Sequence, residues 1–316
     1  MKLSNKLGVI GWGVLVIAFT GLGALAVGSA GFGWGQDYQL LALRLPRVLA
    51  AIIAGFALGV GGATQQGLFR NPLADPGLTG VFGGALLGIA VLMAGGGGWV
   101  WEHTWAISAA AFAGAILISI LLVLVGGRGS TAKLLLTGLG LNAFAAAGTL
   151  IIANLFSSSR DVLLSGITGD WLGLATVSSI ALPVGLCVVA SIFLLSQGRS
   201  LDQLSLGEEV AQTRGLNVSS VRRRAILFTA LAAAAATCLV GQVAFMGLIA
   251  PHCARLLIGP RHKFMLPLAG LIGALLLLLA DTLGRSLWPQ TPLSAAAMTA
   301  LIGAPVFIWI ASRHHE

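Results

Sequence analysis

The chain consists of long apolar stretches separated by short polar segments. Apolar runs of about 18–20 residues recur along its whole length, and each could cross a hydrocarbon core about 30 Å thick. The pattern predicts an all-α polytopic membrane protein that forms a single transmembrane domain over residues 1–316. We expect ten spans: 7–28, 46–67, 78–95, 104–126, 134–156, 177–197, 223–240, 242–258, 266–284 and 294–312.

The first apolar stretch, 7–28, follows Lys6 and could be mistaken for a secretory signal peptide. It is longer than the apolar region of about 7–15 residues that is typical of such signals. We therefore expect a retained first helix.

Composition supports the membrane assignment. Hydrophobic residues make up 57% of the chain and charged residues 9%, whereas soluble domains carry about 25% charged residues. The four-residue glycine spacings at Gly55/Gly59 and Gly80/Gly84/Gly88 predict helix pairs whose backbones approach closely, as helices in lipid do.

The net charge of +8 is unevenly distributed among the segments between spans. If the N-terminus is cytoplasmic, only Arg44, Arg47, Arg160 and Arg285 lie outside. The other Lys/Arg lie inside: Lys2, Lys6, Arg70, Arg128, Lys133, Arg199, Arg214, Arg222, Arg223, Arg224, Arg255, Arg261, Lys263 and Arg313. This asymmetry is the positive-inside rule, so the basic charge indicates topology rather than nucleic-acid binding. It predicts that both termini are cytoplasmic.

The densest charge cluster lies in the longest inner segment, 198–222, and begins with SLGEEVAQTRG. Ser205 followed by Glu208 forms the S-x-x-E pattern of a capping box, and Glu208 and Glu209 place negative charge in the first helical turn. This pattern predicts the start of a short helix at the cytoplasmic surface.

Stop and restart signals follow. Arg214 suits the last turn of the short helix, and Gly215 suits the position just past its end. Asn217 or Ser219 can cap a second helix that continues into the next span. Arg222–Arg224 either belong to this arrangement or only set the topology.

Patterns typical of enzymes are absent from the sequence. It contains no G-x-x-x-x-G-K-[ST] phosphate loop, no G-x-S-x-G elbow and no histidine pair at metal-ligand spacing within a span. Asp281 is the candidate intramembrane carboxylate, and Arg285 one turn later explains it as an i,i+4 ion pair. A carrier without a coupling carboxylate requires another energy source, which predicts a partner protein.

Four blocks of the sequence form a distinctive set: LRLPRVLAAIIAGFALGVGGATQQGLFRNPLADPGLTGV (43–81), SLGEEVAQTRGLNV (205–218), GQVAFMGLIAPHCARLLIGPRHKFMLPLAGLIGALLLLLADTLGR (241–285) and LIGAPVFIWI (301–310). Together they resemble the FecCD-type family of ABC importer permeases, which take up iron–siderophore complexes, haem and vitamin B12. The resemblance implies ten transmembrane helices per subunit and a homodimer in the inner membrane around a central pathway. It also implies two ATPase subunits that bind ATP–Mg, a periplasmic binding protein, and no cofactor on this chain.

The same resemblance assigns Ser205–Arg214 as a coupling helix that inserts into a cleft on the ATPase, with Gly215 ending it. Gly207, Glu208, Glu209 and Ala211 match the motif. A rigid capped helix would transmit the ATP-driven movement that a flexible connector would absorb.

Outer arginines of this family dock acidic residues of the binding protein, and Arg44, Arg47 and Arg285 match those positions. Complementary charge sets the rate and register of such transient docking. Alternatively, Arg44 and Arg47 extend to the membrane interface at the start of a span.

Candidate pathway residues are implied less directly. Ser130 and Thr131, in GSTAK, resemble the inner gate of the vitamin B12 member, although an ordinary polar loop would read the same. Asn142 either faces the pathway or forms an interhelical hydrogen bond.

The sequence departs from the family pattern at three places that bear on ligand choice. Phe82–Gly83 stand where the vitamin B12 permease has an asparagine. Ser165 or Gly166 replaces the usual tryptophan, with Trp171 further on, and Thr291 replaces a glutamate. We expect an Fe(III)–siderophore as the ligand, then haem, then cobalamin. Alternatives are an ion-coupled carrier that acts without an ATPase and a membrane-embedded enzyme.

Overall fold

A computed structural model describes residues 3–28, 31–32, 38–77, 80–96, 99–126, 131–156, 172, 175–287 and 292–313. Its helices are α1 (Leu3–Ala26), α2 (Tyr38–Phe69), α3 (Val81–Gly96), α4 (Trp99–Glu102), α5 (Thr104–Gly126), α6 (Thr131–Leu155), α7 (Val177–Ser196), α8 (Gly198–Leu204), α9 (Glu208–Thr213), α10 (Val218–Val240), α11 (Met246–Ile258), α12 (His262–Leu287) and α13 (Ala295–Arg313). A two-residue antiparallel pair, β1 (Val27–Gly28) with β2 (Gly31–Phe32), follows α1.

The described helices confirm the predicted class and agree with about ten spans. Seven of them are long and apolar enough to cross a membrane, and three shorter apolar helices lie over Val81–Gly96, Met246–Ile258 and Ala295–Val306. Each predicted span overlaps one of these ten helices. The hydropathy pattern therefore locates the membrane helices because each one contains a long apolar run.

Helix α2 lies at the centre of the bundle and packs against α7, α10, α11 and α12. The predicted small-residue contacts are present on it. A Cβ atom added at Gly59 would overlap the backbone of Ala269 on α12, and one at Gly55 would overlap Gly273. Close backbone packing of this kind is how helices associate where the hydrophobic effect is weak.

A second group consists of α3, α5 and α6. Gly84 and Gly88 of α3 face the backbone of α5 at Gly114 and Ala110, so the second predicted glycine set also marks a helix–helix contact. Helix α10 connects the two groups, since it packs against α2, α5 and α7.

Some apolar side chains face outward. Trp12 and Phe19 on α1 are 70% and 79% exposed, and Phe144 on α6 is 70% exposed. Exposed apolar surface of this extent suits contact with lipid or with another membrane subunit. Helix α1 packs mainly against α12, so most of its circumference remains open.

The two ends of the bundle carry different sets of charged residues. The basic end contains the first turns of α1, helices α8 and α9, the start of α10 with Arg222–Arg224, and the start of α12. The opposite end contains the last turn of α1, the early part of α2 with Arg44 and Arg47, and the last turns of α12. Helix α12 runs from one end to the other.

Candidate functional site: the short helices and the opposite charge cluster

The predicted start of the short helix at the basic end is partly wrong. Helix α9 begins at Glu208, and its N-cap is Gly207, which has φ +118° and no side chain to form a cap. Ser205 instead ends α8 in helical geometry, and its hydroxyl donates to the Asp202 carbonyl at 2.7 Å. The capping box does not form because Ser205 still belongs to the preceding helical turn, so the break falls at glycine instead.

The predicted end of this helix is confirmed. Gly215 has φ +82°, its N–H donates to the Gln212 carbonyl at 2.9 Å, and the N–H of Leu216 donates to Ala211 at 3.0 Å. These two bonds form a Schellman motif, which requires a residue that tolerates the left-handed conformation. The Ala211 side chain is fully buried and anchors α9, while Arg214 is exposed at its end.

Helix α10 begins at the first of the two predicted caps. The Asn217 side chain accepts from the Ser220 N–H at 3.0 Å, and the Ser219 hydroxyl donates to Asn217. One helical turn later, Arg222 Nη2 lies 2.6 Å from Glu208 Oε1. Arg222 therefore joins the first turn of α9 to the membrane helix α10, whereas Arg223 and Arg224 are exposed.

A carboxylate that the sequence did not single out connects α8 to α12. Asp202 Oδ1 accepts from the backbone N–H of His262 at 2.6 Å and lies 3.0 Å from its ring Nδ1. Burial alone would raise the pKa of Asp202, but the hydrogen bonds from His262 and from the Lys263 backbone outweigh it and lower that pKa below its usual range. Asp202 thus caps a transmembrane helix from within the short-helix segment.

A second buried carboxylate, Asp75, lies in the connection between α2 and α3. It accepts from the Gly77 N–H at 2.6 Å and lies beside Gly247, near the start of α11. Burial raises the pKa of Asp75 to about 6, against the opposing effect of backbone hydrogen bonds from Gly77 and Gly247. Helix α11 has no side-chain cap at its own N-cap residue, Phe245, so the Asp75 carboxylate caps its N-terminus by accepting from the Gly247 N–H.

The opposite end holds a charge cluster around Asp281. This carboxylate is fully buried and accepts from Arg47 Nε at 2.9 Å and from Arg47 Nη2 at 2.6 Å. Arg285 Nε lies 3.5 Å from its other oxygen, which confirms the predicted i,i+4 ion pair. The shorter pair, with Arg47, joins residues 234 positions apart and was not predicted.

Two further interactions in this cluster involve the C-terminal turn of α1. Arg44 Nη1 donates to the Leu25 carbonyl at 2.9 Å, and Arg285 Nη2 donates to the Ala24 carbonyl. Cations suit a helix C-terminus, whose last carbonyls lack intrahelical partners. The three arginines predicted to dock a binding protein therefore lie together and hold α1, α2 and α12 in contact. Arg285 is buried, whereas Arg44 and Arg47 are partly exposed.

The candidate pathway residues occupy different environments. Phe82 is 3% exposed and Gly83 is buried, so both lie inside the subunit instead of on a surface that the described chain leaves open. The Asn142 side-chain oxygen points at Gly83 on α3. It has no hydrogen-bond partner within the described residues.

Thr131 is the first residue of α6. Several other positions lie outside the described residues: Ser130, Arg160, Ser165, Gly166, Trp171 and Thr291.

Ten apolar helices of the described residues, with short helices at one end and an arginine cluster at the other, define a polytopic membrane protein. A solved inward-facing structure of a metal-chelate type ABC transporter has the same fold, with a TM-score of 0.86 and 25% sequence identity, covering 97% of this chain and 99% of that one. Residues 10–313 match the model of the FecCD transport family, and the chain belongs to that family.

Two relatives illustrate the range within the family. The hemin transport system permease protein HmuU of Yersinia pestis is 38% identical over 294 residues, covering 87% of this chain and 84% of that protein. The vitamin B12 import system permease protein BtuC of Vibrio cholerae is 38% identical over 280 residues, covering 87% and 82%. Equal identity to transporters of two different chelates does not distinguish between these ligands.

Proposed function

We propose that this chain is the permease subunit of an ATP-driven importer that moves a bulky metal chelate into the cytoplasm. The observation that carries the proposal is the match to the FecCD transport family over residues 10–313. Two copies of the chain would enclose the pathway in the inner membrane. Two ATPase subunits carrying ATP–Mg would bind the basic end, and a periplasmic binding protein would bind the opposite end.

The basic end supports the proposed ATPase contact. Helix α9 is short, capped at its C-terminus, anchored by Ala211 and joined to α10 through the Glu208–Arg222 pair. The neighbouring α8 is joined to α12 through Asp202 and His262. A movement imposed on these short helices would reach two transmembrane helices without passing through a flexible connector.

The proposed orientation places both termini and the basic end in the cytoplasm. It rests on the asymmetric distribution of lysine and arginine along the sequence. Cysteines introduced at Arg223 and at Arg44 distinguish the two orientations. In intact spheroplasts, an impermeant thiol reagent should label Arg44→Cys and not Arg223→Cys, and the reverse labelling would contradict the proposal.

The ligand class follows from the relatives, whose names specify hemin and vitamin B12. Both are bulky metal chelates, and the expected order remains Fe(III)–siderophore, then haem, then cobalamin. Phe82 and Gly83, where the sequence differs from the vitamin B12 permease, lie inside the subunit. This difference is therefore weak evidence against cobalamin as the ligand.

The test is uptake into proteoliposomes that contain this chain together with its partner ATPase and binding protein. One ferric siderophore, haem and cobalamin are supplied separately as radiolabelled or chromogenic ligands, with ATP inside or outside. We expect uptake of one chelate only when ATP is on the ATPase side. Uptake driven by a proton or sodium gradient without the ATPase would contradict the proposal.

A further inference from the structure

A pocket of about 440 Å³ opens at the basic end, between the first turns of α1 and the connection from α11 to α12. It is lined by Lys6, Leu257, Ile258, Gly259, Pro260 and Arg261. None of the residues assigned above to ATPase coupling, binding-protein docking or the pathway contributes to it.

The pocket contains cationic groups without an acidic partner. Lys6 is only 9% exposed, and its Nζ lies 5.3 Å from the centroid of the Phe264 ring. The Nζ of Lys263 lies 5.4 Å from the same centroid. Within the described residues, no carboxylate lies within ion-pair distance of Lys6 or Arg261. The nearby Asp202 is already bound by His262. A buried ammonium group is costly unless an anion compensates it.

Two further features of the pocket bear on what that anion is. Helix α11 ends at Ile258, and the partial negative charge of its C-terminus would oppose an anion, so binding depends on the two cationic side chains. Around the pocket, apolar side chains point outward: Leu7, Leu256 and Leu257 are 56%, 69% and 56% exposed. A charged pocket that continues into exposed apolar surface matches an amphiphile better than a soluble ion.

We propose that this pocket binds the phosphate group of an anionic phospholipid, with its acyl chains against Leu7, Leu256 and Leu257. The Lys6 ammonium and the Arg261 guanidinium would both donate to phosphate oxygens. Basic pockets between membrane helices at the cytoplasmic surface commonly hold such head groups. Most of the surface of α1 beside the pocket is open, which gives a lipid access from the bilayer.

The experiment is native mass spectrometry of the full chain in detergent, titrated with dioleoyl-phosphatidylglycerol or dioleoyl-phosphatidylcholine. We expect selective retention of phosphatidylglycerol. Each of Lys6→Ala and Arg261→Ala should weaken that retention about fivefold, and the double variant about twentyfold. Lys6→Arg should retain it. The matched control, Arg223→Ala with Arg224→Ala, removes two exposed cations from the same end and should leave it unchanged.

Three outcomes would overturn the proposal. Equal retention of both lipids by the wild-type chain excludes a charge-selective site. A loss in the control as large as in the Lys6/Arg261 double variant shows diffuse surface attraction. Displacement of the lipid by millimolar inorganic phosphate shows a soluble-anion site. Lys6→Gln, which keeps most of the side-chain volume, provides the same comparison if Lys6→Ala fails to fold.

Discussion

Asp281 shows how a single residue organises one end of the molecule. Its carboxylate is fully buried and compensates two guanidinium groups, from Arg47 and Arg285. Arg44 of α2 and Arg285 of α12 also donate to the Leu25 and Ala24 carbonyls at the end of α1. Removing one member of a buried charge group is costly because the remaining charges lose their compensation.

Replacing Asp281 by alanine should therefore destabilise the protein. We expect the free energy of unfolding to fall by about 3–5 kcal/mol, since two arginines remain with no carboxylate between them. Thermal unfolding of the purified chain in detergent measures the change. Glu209→Ala, which removes an exposed acid at the other end, is the control and should have little effect. Equal unfolding temperatures for the two variants would contradict this role.

Asp75 gives a pH dependence of opposite sign to that of an ion-paired carboxylate. Its pKa of about 6 in the folded protein lies above its ordinary value of about 3.9, so the folded state binds the proton more tightly. Stability therefore falls as the pH rises from about 4 to about 6, by about 3 kcal/mol in total, and then stays constant with respect to this group.

The measurement compares wild-type protein with Asp75→Asn by thermal unfolding at a series of pH values between 4 and 8. The unfolding temperature of the wild type should fall relative to that of the variant across the lower half of this range. If the two curves remain parallel, Asp75 does not titrate in this way.

At the scale of elements, α8, α9 and the start of α10 form a short unit in which a Schellman motif ends α9 and Asn217 caps α10. Glu208 and Arg222 are 41% and 43% exposed, so their ion pair adds little to overall stability. The pair instead joins the first turn of α9 to α10, and Glu208 would also face the ATPase. These two roles of Glu208 can be separated by exchanging the charges.

Arg222→Glu alone should reduce ATP-driven uptake, because it replaces the ion pair with two carboxylates that repel each other. The exchange Glu208→Arg with Arg222→Glu restores an internal pair but inverts the charge at the start of α9. If the acid at position 208 contacts the ATPase, uptake stays low in the exchanged protein, although the permease folds normally by circular dichroism. Full recovery of uptake would show that Glu208 acts only through Arg222.

The Asp202–His262 contact provides a second link from this unit to a membrane helix. Asp202→Ala should remove the cap from α12 and raise the rate of amide hydrogen exchange at His262 by about tenfold. Hydrogen exchange followed by mass spectrometry resolves this region. Ser205→Ala, which removes a neighbouring exposed hydroxyl group, should leave that rate unchanged. The same rate in both variants would show that Asp202 does not hold the start of α12.

At the scale of the whole molecule, α12 connects the two charged regions. It begins at the Asp202 cap and ends at the Asp281 cluster, and it packs along α2 through glycine contacts. A rigid helix that spans both ends would make events at the ATPase side and at the binding-protein side interdependent.

Docking of the binding protein tests the outer half of this arrangement. Arg44→Glu should weaken docking because Arg44 is partly exposed at the outer end of α2 and the substitution reverses its charge. A surface-binding titration of the binding protein on nanodisc-embedded transporter measures the effect. Arg285→Lys is the matched control, since Arg285 is buried and its charge is retained. Unchanged affinity with Arg44→Glu would contradict a docking role for this residue.

Much of this architecture is determined by the sequence alone. Membrane helices contain long apolar runs, so hydropathy locates the seven long and three shorter apolar helices of the described residues, and the glycine spacings mark the contacts at Gly59 and Gly88. The end of α9 at Gly215 and a cap for α10 at Asn217 or Ser219 were also predictable, because these signals lie within a few residues of the structure they specify.

Tertiary structure decided the charge pairing. Arg47 with Asp281, and Asp202 with His262, join residues that are 234 and 60 positions apart. No local pattern identifies such partners, since helix packing determines which side chains meet. Even the S-x-x-E pattern failed, because whether Ser205 caps a helix or ends one depends on the turn before it. Local chemistry therefore specified the helices, and packing among them specified their charged contacts.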